Sequence, residues 1–203
     1  MFITTLIAFA ALAAPGEDVK CAVMHSPTNE KSKAVEFSGA RFPMCCGGCP
    51  EAFSKDPGKF IKDAAKSNET IGVFLFCPVS GERIDMDKVK ETSNYKGIKY
   101  GFCCADCKGA FEKDPAKFAK SPEKESLTCA VSGEKIASYS EAAGFVDYNG
   151  ARYYICCANC GPALKKDPAG VIAKSKIKAV APSAVPSPTK KVDVNAVKTC
   201  TDC

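Results

Sequence analysis

Cysteine carries the chemistry in this chain. Fourteen of its 203 residues are cysteines, and twelve fall into three copies of one pattern. The copies read Cys21…Cys45-Cys46-x-x-Cys49, Cys77…Cys103-Cys104-x-x-Cys107 and Cys129…Cys156-Cys157-x-x-Cys160, and Cys200-x-x-Cys203 closes the chain. Thiols at fixed positions in a tandem repeat point to sulfur as the purpose of the repeat, either as metal ligands or as disulfide staples. The two thiols of each Cys-x-x-x-Cys are four residues apart, which places them on one face of a helical turn. A helix start also favours thiolate over thiol. One ligand from a loop plus two or three from a helix start is a common arrangement in small structural zinc sites, and soft thiolates suit Cu(I) or zinc better than magnesium or calcium.

The elements that must hold these sulfurs are legible around them. Ahead of the double cysteine stand Phe37-Ser-Gly39-Ala-Arg41-Phe42, Tyr95-Lys-Gly97-Ile-Lys99-Tyr100 and Tyr148-Asn-Gly150-Ala-Arg152-Tyr153. Asn149-Gly150 is a strong two-residue hairpin turn, with Lys96-Gly97 and Ser38-Gly39 as weaker versions. Ile98, Tyr100 and Phe102 then alternate with Lys99 and Gly101, as in a half-buried strand. After the cysteines, Asp56-Pro57, Asp114-Pro115 and Asp167-Pro168 read as the cap and first residue of a short second helix. The apolar pairs Phe53/Phe60, Phe111/Phe118 and Leu164/Val171 are expected to pack back on the hairpins. The fold expected is α+β: three small tandem zinc-finger-like modules, each a β-hairpin followed by one or two short helices, and a flexible C-terminal tail. Their bounds are 15–69, 70–122 and 123–175. A module of about fifty residues has a marginal apolar core, so metal or disulfides would assist it.

The ends read differently. Residues 1–14 are apolar and uncharged, too short for a stable span, and Ala11-Leu12-Ala13 fits a cleavage site. This predicts a signal peptide, a periplasmic or secreted protein and no stable membrane span once the signal is removed. The Ala/Pro/Ser/Val/Lys-rich stretch 176–203, with Pro182, Pro186 and Pro188, reads as an extended arm carrying Cys200 and Cys203. These two are candidate metal ligands for capturing ions and passing them to the modules, or a redox pair or a disulfide. The formal charge of +5 comes from lysines spread along the chain, which describes a solvated surface and no nucleic-acid footprint. With one histidine in the chain, acid–base catalysis has few side chains to use, and the expectation is a protein that is not an enzyme.

The stretch Cys77-Pro-Val-Ser-Gly…Tyr100-Gly-Phe-Cys103-Cys-Ala-Asp-Cys107-Lys-Gly-Ala-Phe111-Glu-Lys-Asp114-Pro115 resembles a module of the YHS and TRASH families. The resemblance extends from Cys21 to Ser175 over three copies. It implies metal binding, as in metal-transporting ATPases, metal sensors and heavy-metal resistance proteins. The pattern of a lone cysteine followed by Cys-x-x-x-Cys maps onto Cys21 with Cys45 and Cys49, Cys77 with Cys103 and Cys107, and Cys129 with Cys156 and Cys160. The intervening gaps of 23, 25 and 26 residues are slightly longer than the family's. Many such knuckles carry a second cysteine where this chain has Ser80 and Ser132, and the first module has Met24 and His25 at its knuckle. Cys46, Cys104 and Cys157 are candidates to restore the ligand count, Met24 offers a thioether and His25 an imidazole. The expected cofactor is zinc or copper(I), about one ion per module, and a metal transporter or another protein of the export compartment is the expected partner. Two other readings stay open: a disulfide-stapled interaction protein, and a thiol–disulfide oxidoreductase working through Cys200 and Cys203.

Overall fold

A computed structural model describes residues 19–29, 32–89 and 91–189. The expected signal segment and the terminal Cys-x-x-Cys lie outside the described residues. Three hairpins organise the rest: β1 (Lys33–Phe37) with β2 (Ala40–Met44), β4 (Thr92–Tyr95) with β5 (Ile98–Gly101), and β7 (Gly144–Tyr148) with β8 (Ala151–Ile155). Each turns through two residues of positive φ: Ser38 and Gly39, Lys96 and Gly97, Asn149 and Gly150. That is the primed turn whose twist matches the strands. Each hairpin is followed by two short helices: α1 (Cys49–Lys55) and α2 (Pro57–Ser67), α3 (Ala105–Lys113) and α4 (Pro115–Phe118), α5 (Cys160–Lys166) and α6 (Pro168–Ser175). Between the helices of each pair the aspartate before proline caps the second one. Its side chain accepts the N–H of Lys59 (3.0 Å), Lys117 (3.1 Å) and Gly170 (2.9 Å), respectively. The helices lie back on their hairpins through buried rings. Phe42 meets Phe53 at 4.6 Å between centroids, Tyr100 meets Phe111 at 5.0 Å, and Leu164 is fully buried in the third copy.

The modules are not independent units. A three-residue strand, β3 (Gly72–Phe74), pairs antiparallel with β2 and parallel with β5 and so fuses the first two hairpins. With the two-residue strand β9 (Val185–Pro186) at its edge, the sheet has six strands in the order β4-β5-β3-β2-β1-β9. Its counterpart β6 (Lys124–Ser126) pairs parallel with β8 in a separate three-stranded sheet, β6-β8-β7. One apolar cluster then joins all three copies. Phe42 and Phe53 come from the first, Phe76, Tyr100 and Phe111 from the second, and Tyr139, Phe145 and Tyr154 from the third. The contact reaches the backbone as well. Phe145 N–H donates to Gly81 O (2.8 Å) and Arg83 N–H to Ala143 O (3.1 Å), so the knuckle of the second module lies against β7 of the third. A Cβ on Gly81 would sit 2.4 Å from Phe145 O, so that crossing requires glycine.

The tail departs from the expectation of a free arm along its first part. Strand β9 (Val185–Pro186) pairs with Glu36 and Val35 on the outer edge of the six-stranded sheet, and Ser187 N–H donates to Ala34 O (3.0 Å). Pro186 is tolerated there because an edge strand has one side with no ladder to complete. The buried carboxylate of Glu36 ties three parts of the chain together, accepting the Ser187 hydroxyl (2.7 Å), the Ser140 N–H (2.9 Å) and the Ser140 hydroxyl.

A second buried carboxylate, Glu125 on β6, makes stability depend on pH. It accepts the Tyr139 hydroxyl, and burial pushes its pKa up to about 7 from an ordinary 4.5, against the pull of that hydrogen bond and of Arg152. The folded chain therefore holds this proton more tightly than the unfolded one. Its contribution is most favourable below about pH 4.5 and is lost as pH rises to about 7, a change of about 3 kcal/mol at most. Glu125→Gln keeps the acceptor and removes the titration. In urea titrations the difference in stability between variant and wild type should grow from pH 5 to pH 7.5 in favour of the variant; a difference independent of pH would contradict the assignment.

Candidate metal centres

Each knuckle is built the same way. The lone cysteine donates its N–H to the carbonyl five residues on: Cys21 to Ser26 (2.9 Å), Cys77 to Glu82 (2.8 Å), Cys129 to Glu134 (2.9 Å). Its carbonyl accepts the N–H four residues on, from His25 (2.9 Å), Gly81 (2.9 Å) and Gly133 (2.8 Å). That fourth residue has positive φ in every copy, 56°, 77° and 78°. The tight loop turns backbone amides toward the sulfur. Burial works against the thiolate of all three lone cysteines. Backbone hydrogen bonds from Cys45, Met24 and Val23 outweigh it at Cys21, those from Cys103, Ser80 and Val79 at Cys77, and those from Ser132, Cys156 and Val131 at Cys129. The Ser80 and Ser132 hydroxyls add to this, and each thiol is held below its ordinary pKa.

The end of each hairpin brings two more sulfurs to the same point. Cys21, Cys45 and Cys49 form one triad, Cys77, Cys103 and Cys107 a second, and Cys129, Cys156 and Cys160 a third, with the Sγ atoms of each triad within 4.8 Å of one another. Each could hold a metal ion. Within them Cys45 and Cys49 are 3.8 Å apart, Cys103 and Cys107 3.5 Å, Cys103 and Cys77 3.6 Å, and Cys156 and Cys160 3.8 Å. Crowding three ionisable sulfurs costs something when no cation balances them. Burial and the neighbouring thiols push Cys49 and Cys107 far up, and burial first and then Cys129 push Cys156 up to about 12. A bound cation would reverse that ordering, since it favours the thiolate at every position.

The remaining candidates sit around the triads. Cys46 is exposed with its Sγ 3.0 Å from that of Cys49, and Cys157 is buried 3.3 Å from Cys160. Cys104 is the exposed cap residue of α3, 4.0 Å from Cys103. Ser80 and Ser132 put their hydroxyls 3.6 Å and 3.2 Å from Cys103 and Cys156. Met24 occupies the corresponding place in the first module and is 59 % exposed. His25 turns elsewhere: its Nδ1 lies 2.6 Å from Glu69, which also binds Lys20 at 2.8 Å. No disulfide links two described cysteines. A concavity of about 580 Å³, lined by Arg83, Asp85, Lys88 and Glu91, opens beside Cys103 and Cys104. A smaller apolar cavity of about 150 Å³ between the first two hairpins is lined by no cysteine.

His25 fills the position that glycine holds in the other two knuckles, a role visible in the sequence once the copies are aligned. A left-handed non-glycine residue costs roughly 1 kcal/mol. His25→Gly removes that strain along with the exposed contact to Glu69, so the variant should bind as much metal as wild type, with little change in melting temperature. Loss of one ion per chain would instead make His25 a ligand.

Residues 77–121 match the family model of the YHS domain. The match covers the second module, and the first and third repeat its triad at similar positions. No curated protein and no solved structure matches the chain.

Proposed function

We propose that this chain is a soft-metal-binding protein with three thiolate sites, each built on Cys21, Cys45 and Cys49, on Cys77, Cys103 and Cys107, or on Cys129, Cys156 and Cys160. The observation that carries the reading is the threefold recurrence of the same sulfur triad on the same knuckle-and-hairpin frame. A frame used only for disulfides has no need of three sulfurs converging on one point. Three thiolates without a carboxylate suit Cu(I) in a trigonal site, or Zn(II) with a fourth ligand added. The concavity beside Cys103 favours the second module as the one that exchanges its ion most readily.

The biological role proposed is sequestration, delivery or resistance outside the cytoplasm, with no catalysis. The sole histidine is engaged by Glu69, and the apolar, uncharged composition of residues 1–14 favours export. No helix among the described residues is long and apolar enough to cross a membrane.

The test is metal analysis of the full chain purified anaerobically in reductant. About three ions per chain are expected, falling to about two in Cys77→Ser. Protein without metal, whose intact mass shows module cysteines resistant to alkylation, would overturn the reading in favour of disulfide staples.

A further inference from the structure

The Cys-x-x-x-Cys ligand spacing overlaps a second spacing in every module. Cys46-Gly-Gly-Cys49, Cys104-Ala-Asp-Cys107 and Cys157-Ala-Asn-Cys160 are each a Cys-x-x-Cys that shares its last cysteine with the triad. In the first module the shared sulfur is nearer to the outer one than to its fellow ligand: Cys49 lies 3.0 Å from Cys46 and 3.8 Å from Cys45. The three modules differ in how this pair is presented. Cys46 is exposed, and the loop beside it is bare: a Cβ on Gly47 or Gly48 would meet nothing within 4 Å. In the third module the equivalent Cys157 is buried, although it contacts Cys160 at 3.3 Å. In the second, Cys104 is exposed, and Cys107 is shared between Cys104 and Cys103, the latter at 3.5 Å.

We infer that Cys46 and Cys49 form a thiol–disulfide exchange site for small-molecule disulfides, and that its oxidation releases the metal of the first module. The release rests on the metal-binding reading above; the exchange itself does not. In the first step the Cys46 sulfur, having given up its proton, attacks one sulfur of the incoming disulfide. A mixed disulfide forms, the small molecule's S–S bond breaks, and one small thiolate leaves. In the second step the Cys49 sulfur, likewise deprotonated, attacks the Cys46 sulfur, closing the protein disulfide and expelling the second small thiolate. Two electrons pass from the cysteine pair to the small disulfide, and the two protons end on the released thiols. Cys46 is the entry point because it is exposed; Cys49, 2 % exposed, resolves from below. Cys49 then no longer offers a thiolate, and a triad reduced to Cys21 and Cys45 loses its ion.

The experiment uses the full chain, reduced and loaded with zinc, challenged anaerobically with oxidised glutathione while a chelating dye records release. Wild type should release about one of its three ions in a fast phase, and that phase should vanish in Cys46→Ser and in Cys46→Ala. In parallel, metal-free Cys45→Ser is oxidised and digested. Its peptide containing residues 45–49 should lose two mass units, while the same peptide of Cys46→Ser oxidises at least tenfold more slowly. Fast release from Cys46→Ser at the wild-type rate overturns the inference, as does a Cys45→Ser peptide that stays reduced under conditions in which the wild-type chain binds its three zinc ions. Should the disulfide form in a chain that never binds zinc, the gating falls because the metal reading has failed, while the exchange site stands.

Discussion

Chelating the metal from the reduced protein is expected to leave most of the fold standing and to loosen three corners of it. A lone module of about fifty residues would be expected to unfold, because structural zinc supplies about 10–16 kcal/mol in small metal-dependent domains and a core of that size supplies far less. Here β3 closes the first two hairpins into one sheet, and rings from all three modules share one cluster. That cluster does not run through the sulfurs alone; Phe42, Phe53, Phe76 and Tyr154 are fully buried beside them. The apoprotein should therefore keep its far-UV circular dichroism and a single, lowered thermal transition. Hydrogen exchange should report the loss where the metal would act, on the amides of His25, Gly81 and Gly133 that close the knuckles. Strand amides in β2, β5 and β8 should stay protected. Collapse of the dichroism on chelation would mean that metal, not the shared core, decides whether this chain folds.

That distinction was beyond a module-by-module reading of the sequence, and the reason is physical. Periodicity and turn chemistry are local, and the local elements are where they were expected. The two-residue turns, the Asp-Pro caps and the alternation of Ile98, Tyr100 and Phe102 each follow from residues a few positions apart. The joints between modules come from short segments with weak local signals. Strand β3 has three residues and β9 two, and their pairing partners are supplied by distant parts of the chain. Pro186 even argues against a strand until its place on an edge is known. At the sites, the spacing pairs the right cysteines but not on one helical turn, since Cys45, Cys103 and Cys156 lie in bends ahead of α1, α3 and α5. The spacing also gives no sign that Cys49 sits 3.0 Å from Cys46 against 3.8 Å from Cys45. The chemistry of His25 makes it a candidate ligand; its geometric role as the left-handed residue of the knuckle comes from comparing it with Gly81 and Gly133.

Phe76→Ala is expected to be among the most destabilising single substitutions in the chain, and to weaken all three modules together. The ring is fully buried one residue before Cys77. It meets Phe74 at 5.8 Å from its own module, and Phe145 at 5.6 Å and Tyr154 at 5.7 Å from the third, with the Arg83 guanidinium 5.5 Å above it. Truncating a buried phenylalanine costs about 3–5 kcal/mol, since the cavity is only partly refilled. For a chain of this size that is a fall in melting temperature of about 10 °C. The shape of the transition tests the architecture. Because the lost contacts lie between the second and third modules, and β3 ties the second to the first, calorimetry should show one transition moved down as a unit. Two separated transitions, with one at the wild-type temperature, would mean that the modules unfold independently in spite of their common core. One shifted transition would mean that a change in any one knuckle is felt at the other two through the packing of these rings.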